Sequence, residues 1–127
     1  MKRGFTLVEI LVVIIVIGIL ATIALPQFFK VAERGRASEG VGILGALRSA
    51  QMRYYTEHQG NYADDCSDLD VDLGTLKYFA APACTGTSNN LASVARSGSA
   101  DYGAYTLTID ANGDITCAGG NKCPAGF

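Results

Sequence analysis

The chain has 127 residues, enough for one small domain, and 49% of them are hydrophobic. That fraction averages two unlike parts. An almost unbroken apolar run covers residues 5–25, whereas the sequence after residue 60 is rich in Gly, Ser, Thr, Asp and Asn. Beyond residue 60, eight aspartates stand against three cations, a balance of −5, and this argues against nucleic acid as a direct partner.

The apolar run predicts a membrane-spanning helix, because roughly 20 residues cross the hydrocarbon of a bilayer. A secretory signal peptide is the alternative, but the run is long, no small-residue cleavage site closes it, and Glu9 interrupts it. Lys2 and Arg3 precede the run, which predicts a cytoplasmic N-terminus with the rest of the chain on the other side. Glu9 requires an explanation, since an ionised carboxylate deep in a membrane costs about 2.5–3.5 kcal/mol.

The segment KRGFTLVEI, residues 2–10, resembles the class III signal and mature start of a type IV pilin or a related pseudopilin, and the likeness extends to about residue 57. The short leader and Phe5 resemble the type IVa subclass. This resemblance implies that a prepilin peptidase in the inner membrane cleaves after Gly4 and methylates the new amine of Phe5. It also implies that Glu9 pairs with the Phe5 amine during assembly. The amine could belong to the same helix or to a neighbouring subunit that is staggered by about one turn.

Pro26 lies where the resembled family has a helix-kinking proline. Because proline removes a backbone donor and clashes with the preceding turn, we expect a bend or local melting near residues 22–26. The predicted organisation is a leader at 1–4, a transmembrane and filament-core helix at 5–26, an amphipathic helix at 27–58, and a globular head at 59–127.

Residues 27–57 contain no proline and many good helix formers, although four glycines weaken the helix. Helical periodicity predicts two apolar stripes on nearly opposite faces. The first consists of Ala37, Val41, Leu44, Met52 and Tyr55, and the second of Ile43, Leu47, Ala50 and Tyr54. A single head covers one stripe, so we expect the other to face neighbouring subunits. The alternative is a head that wraps both.

The head is predicted to be an antiparallel sheet of three or four strands packed on the helix, which makes the fold class α+β. Residues 105–117, YTLTIDANGDITC, alternate apolar and polar side chains on either side of Asn112-Gly113 and predict a β-hairpin. Residues 76–83 predict a further short strand, and residues 91–97 a strand or a loop. Two Gly- and Ser-rich stretches, 85–90 and 97–104, are predicted loops.

Four cysteines lie in the head, and an even number in a small polar domain favours two disulfides formed in an oxidising compartment. Three pairings are open, of which Cys66–Cys84 with Cys117–Cys123 closes the shortest loops. Zinc is disfavoured, because the sequence has no C-x-x-C pair and a single histidine.

Asp68, Asp70 and Asp72 are spaced like the start of a calcium loop, but Leu73 and Phe79 occupy the positions that an EF-hand gives to Gly and Glu. We therefore expect a solvated acidic loop, no metal and no cofactor. A looser calcium site is the alternative.

The sequence contains no phosphate loop, nucleophile elbow or zinc-protease motif, so nothing in it suggests an enzyme. The predicted function is a structural subunit of a type IV pilus, held in the inner membrane with its head in the periplasm and then polymerised into an extracellular filament. Expected partners are other copies of the chain, the prepilin peptidase, the inner-membrane assembly machinery and the membrane. Two alternatives are a major pseudopilin of a type II secretion system and a monomeric membrane-anchored binding domain.

Overall fold

The computed structural model describes residues 3–98 and 103–127, which form two compact units, Met1–Ala32 and Glu33–Phe127. Lys2 of the basic N-terminus, and residues 99–102 of the loop predicted at 97–104, lie outside the described residues. Within the described part of the chain, the fold consists of a long helix α1 (Leu7–Glu57), a four-stranded sheet, and two short 3₁₀ helices, Cys66–Asp68 and Gly120–Lys122. The predicted α+β class is confirmed.

In the first unit, α1 has an apolar surface that remains exposed. The large apolar side chains from Phe5 to Val31 are exposed by 45–87%. The most apolar 18-residue stretch of the helix has a mean hydropathy of 3.0 and none of it is buried. By length and composition, therefore, this helix can cross a membrane.

The helix α1 continues without interruption through Pro26. Pro26 has no N–H to donate to the carbonyl of Thr22, so one bond of the helical ladder is missing at this point. The Thr22 hydroxyl donates to the carbonyl of Ile19 at 2.6 Å. The local melting expected at residues 22–26 is therefore wrong for the isolated chain, because the surrounding turns keep their helical geometry. A bend at Pro26 stays a prediction.

The second unit contains an antiparallel sheet in which each strand pairs with the next one along the chain. Its strands are β1 (Ala83–Thr87), β2 (Asn90–Ala95), β3 (Thr106–Ile109) and β4 (Ile115–Ala118). The predicted hairpin is confirmed as β3 and β4, with Ile109 opposite Ile115 beside the turn. The alternative of a strand at residues 91–97 is confirmed as β2.

Two predictions for the sheet are wrong. The strand predicted at residues 76–83 is reduced to a single bridge between Phe79 and Arg96, and β1 extends into the predicted loop at 85–90. The sequence of β1 is poor in bulky strand formers, and its pairing with β2 shifts register between Cys84 and Thr87. Gly86 has a φ of 60°, and a side chain there would collide with the Asp64 carboxylate. Gly86, which resembles a loop signal in the sequence, therefore lies within the irregular strand β1.

One face of the sheet packs on α1 in the second unit and forms a single core. Its buried apolar residues come from β2 and β3, from the segments around the sheet, and from one face of the helix. They are Leu91, Ala92, Val94, Tyr105, Leu107, Ile109, Phe79, Leu69, Ala63, Ala37, Ile43, Leu44, Leu47 and Ala50. The core therefore needs no second molecule to cover it.

The prediction of two apolar stripes on opposite faces of α1 is wrong. The buried face combines residues of both stripes, since their centres lie roughly 120° apart at helical periodicity. Between them lie three further buried residues: Glu33, Gly40 and Gln51. The exposed face is lined instead by small residues: Gly35, Ser38, Gly42, Gly45 and Ser49. The expectation that a second apolar stripe of this helix faces neighbouring subunits is therefore wrong.

Gly40 lies where side chains from the rest of the second unit pack directly on the backbone of α1. A Cβ atom built on Gly40 would lie 2.7 Å from Phe79 Cζ and 3.0 Å from Leu107 Cδ1. Phe79 and Leu107 are themselves buried, so neither can move aside without opening the core. A glycine that weakens the helix by propensity is thus required by packing.

The substitution Gly40→Ala is expected to lower the free energy of unfolding by about 1–3 kcal/mol, because the added methyl overpacks the core. Gly42→Ala is the matched control, since nothing lies within 4 Å of a Cβ added there. It should stabilise the helix by up to about 1 kcal/mol. Urea unfolding of the full chain in detergent, followed by circular dichroism, measures both. Equal effects of the two substitutions would contradict the packing argument.

Candidate functional site

The N-terminus of α1 is closed by a capping box that Thr6 and Glu9 form. The backbone N–H and the hydroxyl of Thr6 each donate to Glu9 Oε2 at 2.9 Å. The backbone N–H of Glu9 donates back to Thr6 Oγ1 at 3.3 Å. Thr6 directly precedes the first helical residue, so this reciprocal pattern satisfies the backbone N–H groups of both residues, which have no partner within the helix.

The capping box gives Glu9 a local role that sequence reasoning missed. Its signal, Thr-x-x-Glu before an apolar run, was present in the sequence. The carboxylate also lies at the positive end of the helix dipole, where a negative charge is favourable. Among the described residues, the recorded bonds to this carboxylate all reach Oε2, so Oε1 is open to a further donor.

Gly4 and Phe5 lie directly before the capping box and outside the helix. The Phe5 side chain is 87% exposed. A Cβ built on Gly4 would meet nothing within 4 Å, so the fold of this chain does not require glycine at this position. In the intact chain the Phe5 nitrogen is part of a peptide bond. A charged amine exists there only after the bond between Gly4 and Phe5 is cut.

The N-terminal region has clear similarity to known proteins. A family model described as the prokaryotic N-terminal methylation motif matches residues 1–25. The chain is 42% identical over 68 residues to the type IV major pilin protein PilA of Myxococcus xanthus strain DK1622, covering 54% of this chain and 30% of that protein. It is 41% identical over 56 residues to the fimbrial protein EcpC of Eikenella corrodens, covering 44% and 37% respectively. It is 38% identical over 58 residues to the type IV major pilin protein PilE1 of Neisseria gonorrhoeae, covering 46% and 35%.

The chain is thus similar, over about half of its length, to type IV major pilins and a fimbrial protein. The chain spans about a third of the length of these curated relatives. No solved structure matches it. The matched stretches cover 44–54% of this chain, so about half of the chain lies outside them.

In the part of the chain that follows α1, the cysteines are joined as Cys66–Cys84 and Cys117–Cys123. The first disulfide connects the segment after α1 to β1, and the second connects β4 to the residues that follow it. These are the two pairings with the shortest loops. Each one ties a strand of the sheet to a segment outside the sheet.

The acidic loop at residues 64–72 does not bring its carboxylates together. Asp65 accepts the backbone N–H of Ser67 at 2.9 Å, and Asp72 accepts that of Gly74 at 2.9 Å. Within residues 3–98 and 103–127, no group of three or more His, Cys, Asp or Glu side chains is placed to hold a metal ion. We therefore do not propose calcium binding.

A titratable cluster is buried where α1 meets the sheet. Glu33 Oε1 accepts from Arg96 Nε at 2.6 Å and from the Tyr105 hydroxyl at 3.0 Å, and Oε2 accepts from Arg36 Nη1 at 3.1 Å. Glu33 is completely buried, and Arg96 is only 6% exposed. Burying an ion pair this deeply is favourable only when every charge has partners.

The charges of the cluster compensate one another. Burial alone would raise the pKa of the Glu33 carboxyl, but hydrogen bonds from Arg96 and Tyr105 and the positive charge of Arg96 outweigh burial and lower that pKa. The hydrogen bond to Glu33 raises the pKa of Arg96, while burial raises the pKa of the Tyr105 hydroxyl. Arg96 Nη1 also donates to the carbonyl of Tyr78 at 2.8 Å. The cluster therefore fastens the helix to the sheet and leaves no free acid or base for chemistry.

The substitution Glu33→Gln is expected to lower the free energy of unfolding by about 3–5 kcal/mol at neutral pH, because Arg96 would be buried without a counter-charge. The folded pKa of Glu33 lies below its unfolded value of about 4.3. Its contribution to stability is thus present above that unfolded pKa and is lost as the pH falls through the folded pKa. Urea unfolding at several pH values should show the difference between wild type and variant shrinking in acid.

Glu39→Gln is the control for this experiment. Glu39 lies on the same helix and accepts the backbone N–H groups of Lys77 and Tyr78 at 2.8 Å, but it faces no buried cation. The loss should be about 1.5–3 kcal/mol, because the amide NH2 of the variant cannot accept one of the two backbone N–H groups that the carboxylate binds. An equal loss in both variants, or a Glu33→Gln effect that is constant with pH, would contradict the role of the buried pair.

Proposed function

We propose that this chain is the precursor of a structural subunit of a type IV pilus. The observation that carries the proposal is a helix with an uncovered apolar surface whose first turn holds a single carboxylate, in a segment similar to type IV major pilins. A surface of this kind requires lipid or other copies of the same helix around it. The helix is surrounded by lipid in the inner membrane and later by other copies of the same helix in the filament.

In the membrane, the orientation of the subunit follows from its basic N-terminus. Lys2 and Arg3 stay on the cytoplasmic side, so the second unit lies in the periplasm. Two disulfides in this unit fit that compartment, because thiols are kept reduced in the cytosol. The inner-membrane assembly machinery then moves the subunit into the extracellular filament.

Processing prepares the helix for assembly. Prepilin peptidase cuts between Gly4 and Phe5 and methylates the new Phe5 amine. Gly4 is exposed and has no role in the fold, which supports a requirement imposed by an enzyme rather than by packing. The cut leaves the capping box intact, since Thr6 retains its backbone N–H. The product therefore has a positive charge one residue before a closed helix end.

Assembly brings the Phe5 amine of one copy to the Glu9 carboxylate of the next. Glu9 Oε1 is open to this donor, and an unpaired carboxylate is costly among apolar helices. A buried ion pair adds little net stability, so its role is to set the stagger between copies while apolar packing supplies the driving force. Contacts that repeat head to tail without closing a ring generate a helical filament.

Replacing Gly4 tests processing. Gly4→Ala should be processed better than Gly4→Phe, in which the subunit should retain residues 1–4 and assemble poorly. Mass spectrometry of the purified subunit reports the mature N-terminus directly. The fold is an internal control, because Gly4 is exposed and a Cβ added there meets nothing within 4 Å. Complete removal of residues 1–4 in Gly4→Phe would contradict cleavage by this peptidase.

Two substitutions separate the two roles of Glu9. Glu9→Gln keeps a capping-box acceptor but removes the charge, whereas Thr6→Val keeps the charge and weakens the cap by about 1 kcal/mol. We expect Glu9→Gln to insert normally and to yield far fewer filaments than Thr6→Val. Glu9→Val should also insert normally while impairing assembly or methylation. Membrane fractionation and the yield of sheared filaments measure insertion and assembly. Normal filaments from Glu9→Gln would refute the pairing.

A further inference from the structure

The turn between β3 and β4 contains an asparagine followed by glycine, at Asn112 and Gly113. Both residues are exposed, and Gly113 has a φ of 99°, which favours glycine. The turn belongs to the second unit, and nothing in the proposed pilus function uses it. Asparagine is a thermally labile residue.

An Asn-Gly sequence can deamidate without an enzyme. The backbone nitrogen of Gly113 loses its proton and attacks Asn112 Cγ, so that a new N–C bond forms, the Cγ–Nδ2 bond breaks and ammonia leaves. Water then opens the resulting succinimide at either carbonyl and yields aspartate or isoaspartate at residue 112. Glycine favours the attack because it has no Cβ to obstruct the nitrogen.

In the folded turn, Asp110 holds both reacting groups. The Gly113 N–H donates to Asp110 Oδ1 at 2.9 Å and to the Asp110 carbonyl at 3.2 Å. The Asn112 side-chain amide donates to Asp110 Oδ2 at 3.3 Å. The same Oδ1 also accepts the backbone N–H of Asp114 at 2.8 Å. One carboxylate therefore fixes the nucleophile and the leaving group in place.

We propose that Asn112 is a latent deamidation site and that the Asp110 carboxylate suppresses its reaction in the folded chain. A carboxylate that accepts the Gly113 N–H opposes loss of that proton, and its hold on the amide of Asn112 restricts rotation of Cγ towards the nitrogen. The hydrogen bond from Asp114 lowers the pKa of the Asp110 carboxyl, so the group is ionised at neutral pH. Reaction occurs only when the turn opens locally.

The products would alter the end of the hairpin. Aspartate at residue 112 adds a third carboxylate next to Asp110 and Asp114, and isoaspartate inserts an extra backbone atom between β3 and β4. The neighbouring Ala111 carbonyl accepts two hydrogen bonds from Arg48 on α1, at 3.1 and 2.8 Å. Deamidation therefore weakens the attachment of the hairpin to the helix.

Mass spectrometry of digests tests this proposal. The purified full chain in detergent micelles is incubated at mildly alkaline pH, with and without urea, and the exchange of NH for O at residue 112 is followed over time. Folded wild type should react at least about tenfold more slowly than wild type in urea, the scale of losing one charge-assisted hydrogen bond. Folded Asp110→Ala should approach the rate in urea, and Asp110→Asn, which keeps an uncharged acceptor, should lie between.

Two further measurements keep the result decisive. Asn61 and Asn121 precede residues with side chains and serve as internal references whose rates should not differ between folded wild type and folded variants. Circular dichroism shows whether Asp110→Ala retains its sheet; if it does not, Asp110→Asn replaces it. Equal rates for wild type with and without urea, or equal rates for folded wild type and the folded Asp110 variant, would overturn the proposal.

Discussion

An apolar helix surface that is left uncovered within its own unit is the constraint on which the rest of this molecule depends. From Phe5 to Val31 the large apolar side chains remain exposed. Water around such a surface is unfavourable in proportion to its area, so this unit is stable only inside lipid or against other apolar helices. The second unit has the opposite character, because its sheet and its part of α1 bury a complete core. The two units therefore differ in what they require: the second unit buries its own core, whereas the first unit requires lipid or other apolar helices around it.

The second unit shows how one helix can be held firmly by a small sheet. Apolar contacts fill the core, while two buried polar residues fix the position of the helix. Glu33 binds Arg96, and about five turns further on Gln51 exchanges hydrogen bonds with the backbone of Ala63 at 2.8 and 2.9 Å. Held at these two points, the helix can neither slide nor rotate without leaving buried polar groups unpaired, which costs about 1–3 kcal/mol for each group.

The sequence predicted those parts of the structure whose signals are local. The apolar run and the helix formers predicted α1, and the alternation around Asn112-Gly113 predicted the β3–β4 hairpin. The strand β1 was missed because ACTGT contains little that favours a strand; its pairing partner and a disulfide hold it in place. The Glu33–Arg96 pair joins residues far apart in the chain, so no local sequence pattern predicts it.

The N-terminal site illustrates a different limit. The identities of Gly4, Phe5 and Glu9 could be read from the sequence, and their roles in processing and pairing remain proposals. The Thr6–Glu9 cap was also readable, because threonine and glutamate three residues apart directly before an apolar run are the signature of a capping box. The arrangement of the buried helix face was mispredicted for another reason. The apolar residues alone predicted two stripes. In the structure, Glu33, Gly40 and Gln51 are buried between these stripes, and together they form one buried face.

Both edge strands of the sheet carry a half-cystine. Cys84 lies on β1 and Cys117 on β4, the two strands that have a neighbour on one side only. An open edge presents unpaired backbone groups that can recruit a strand from another molecule. Here each edge strand is bonded covalently to a second segment, which stays beside that strand and leaves less room for a strand from another molecule. The two disulfides are therefore expected to disfavour pairing between the sheets of crowded copies of this chain.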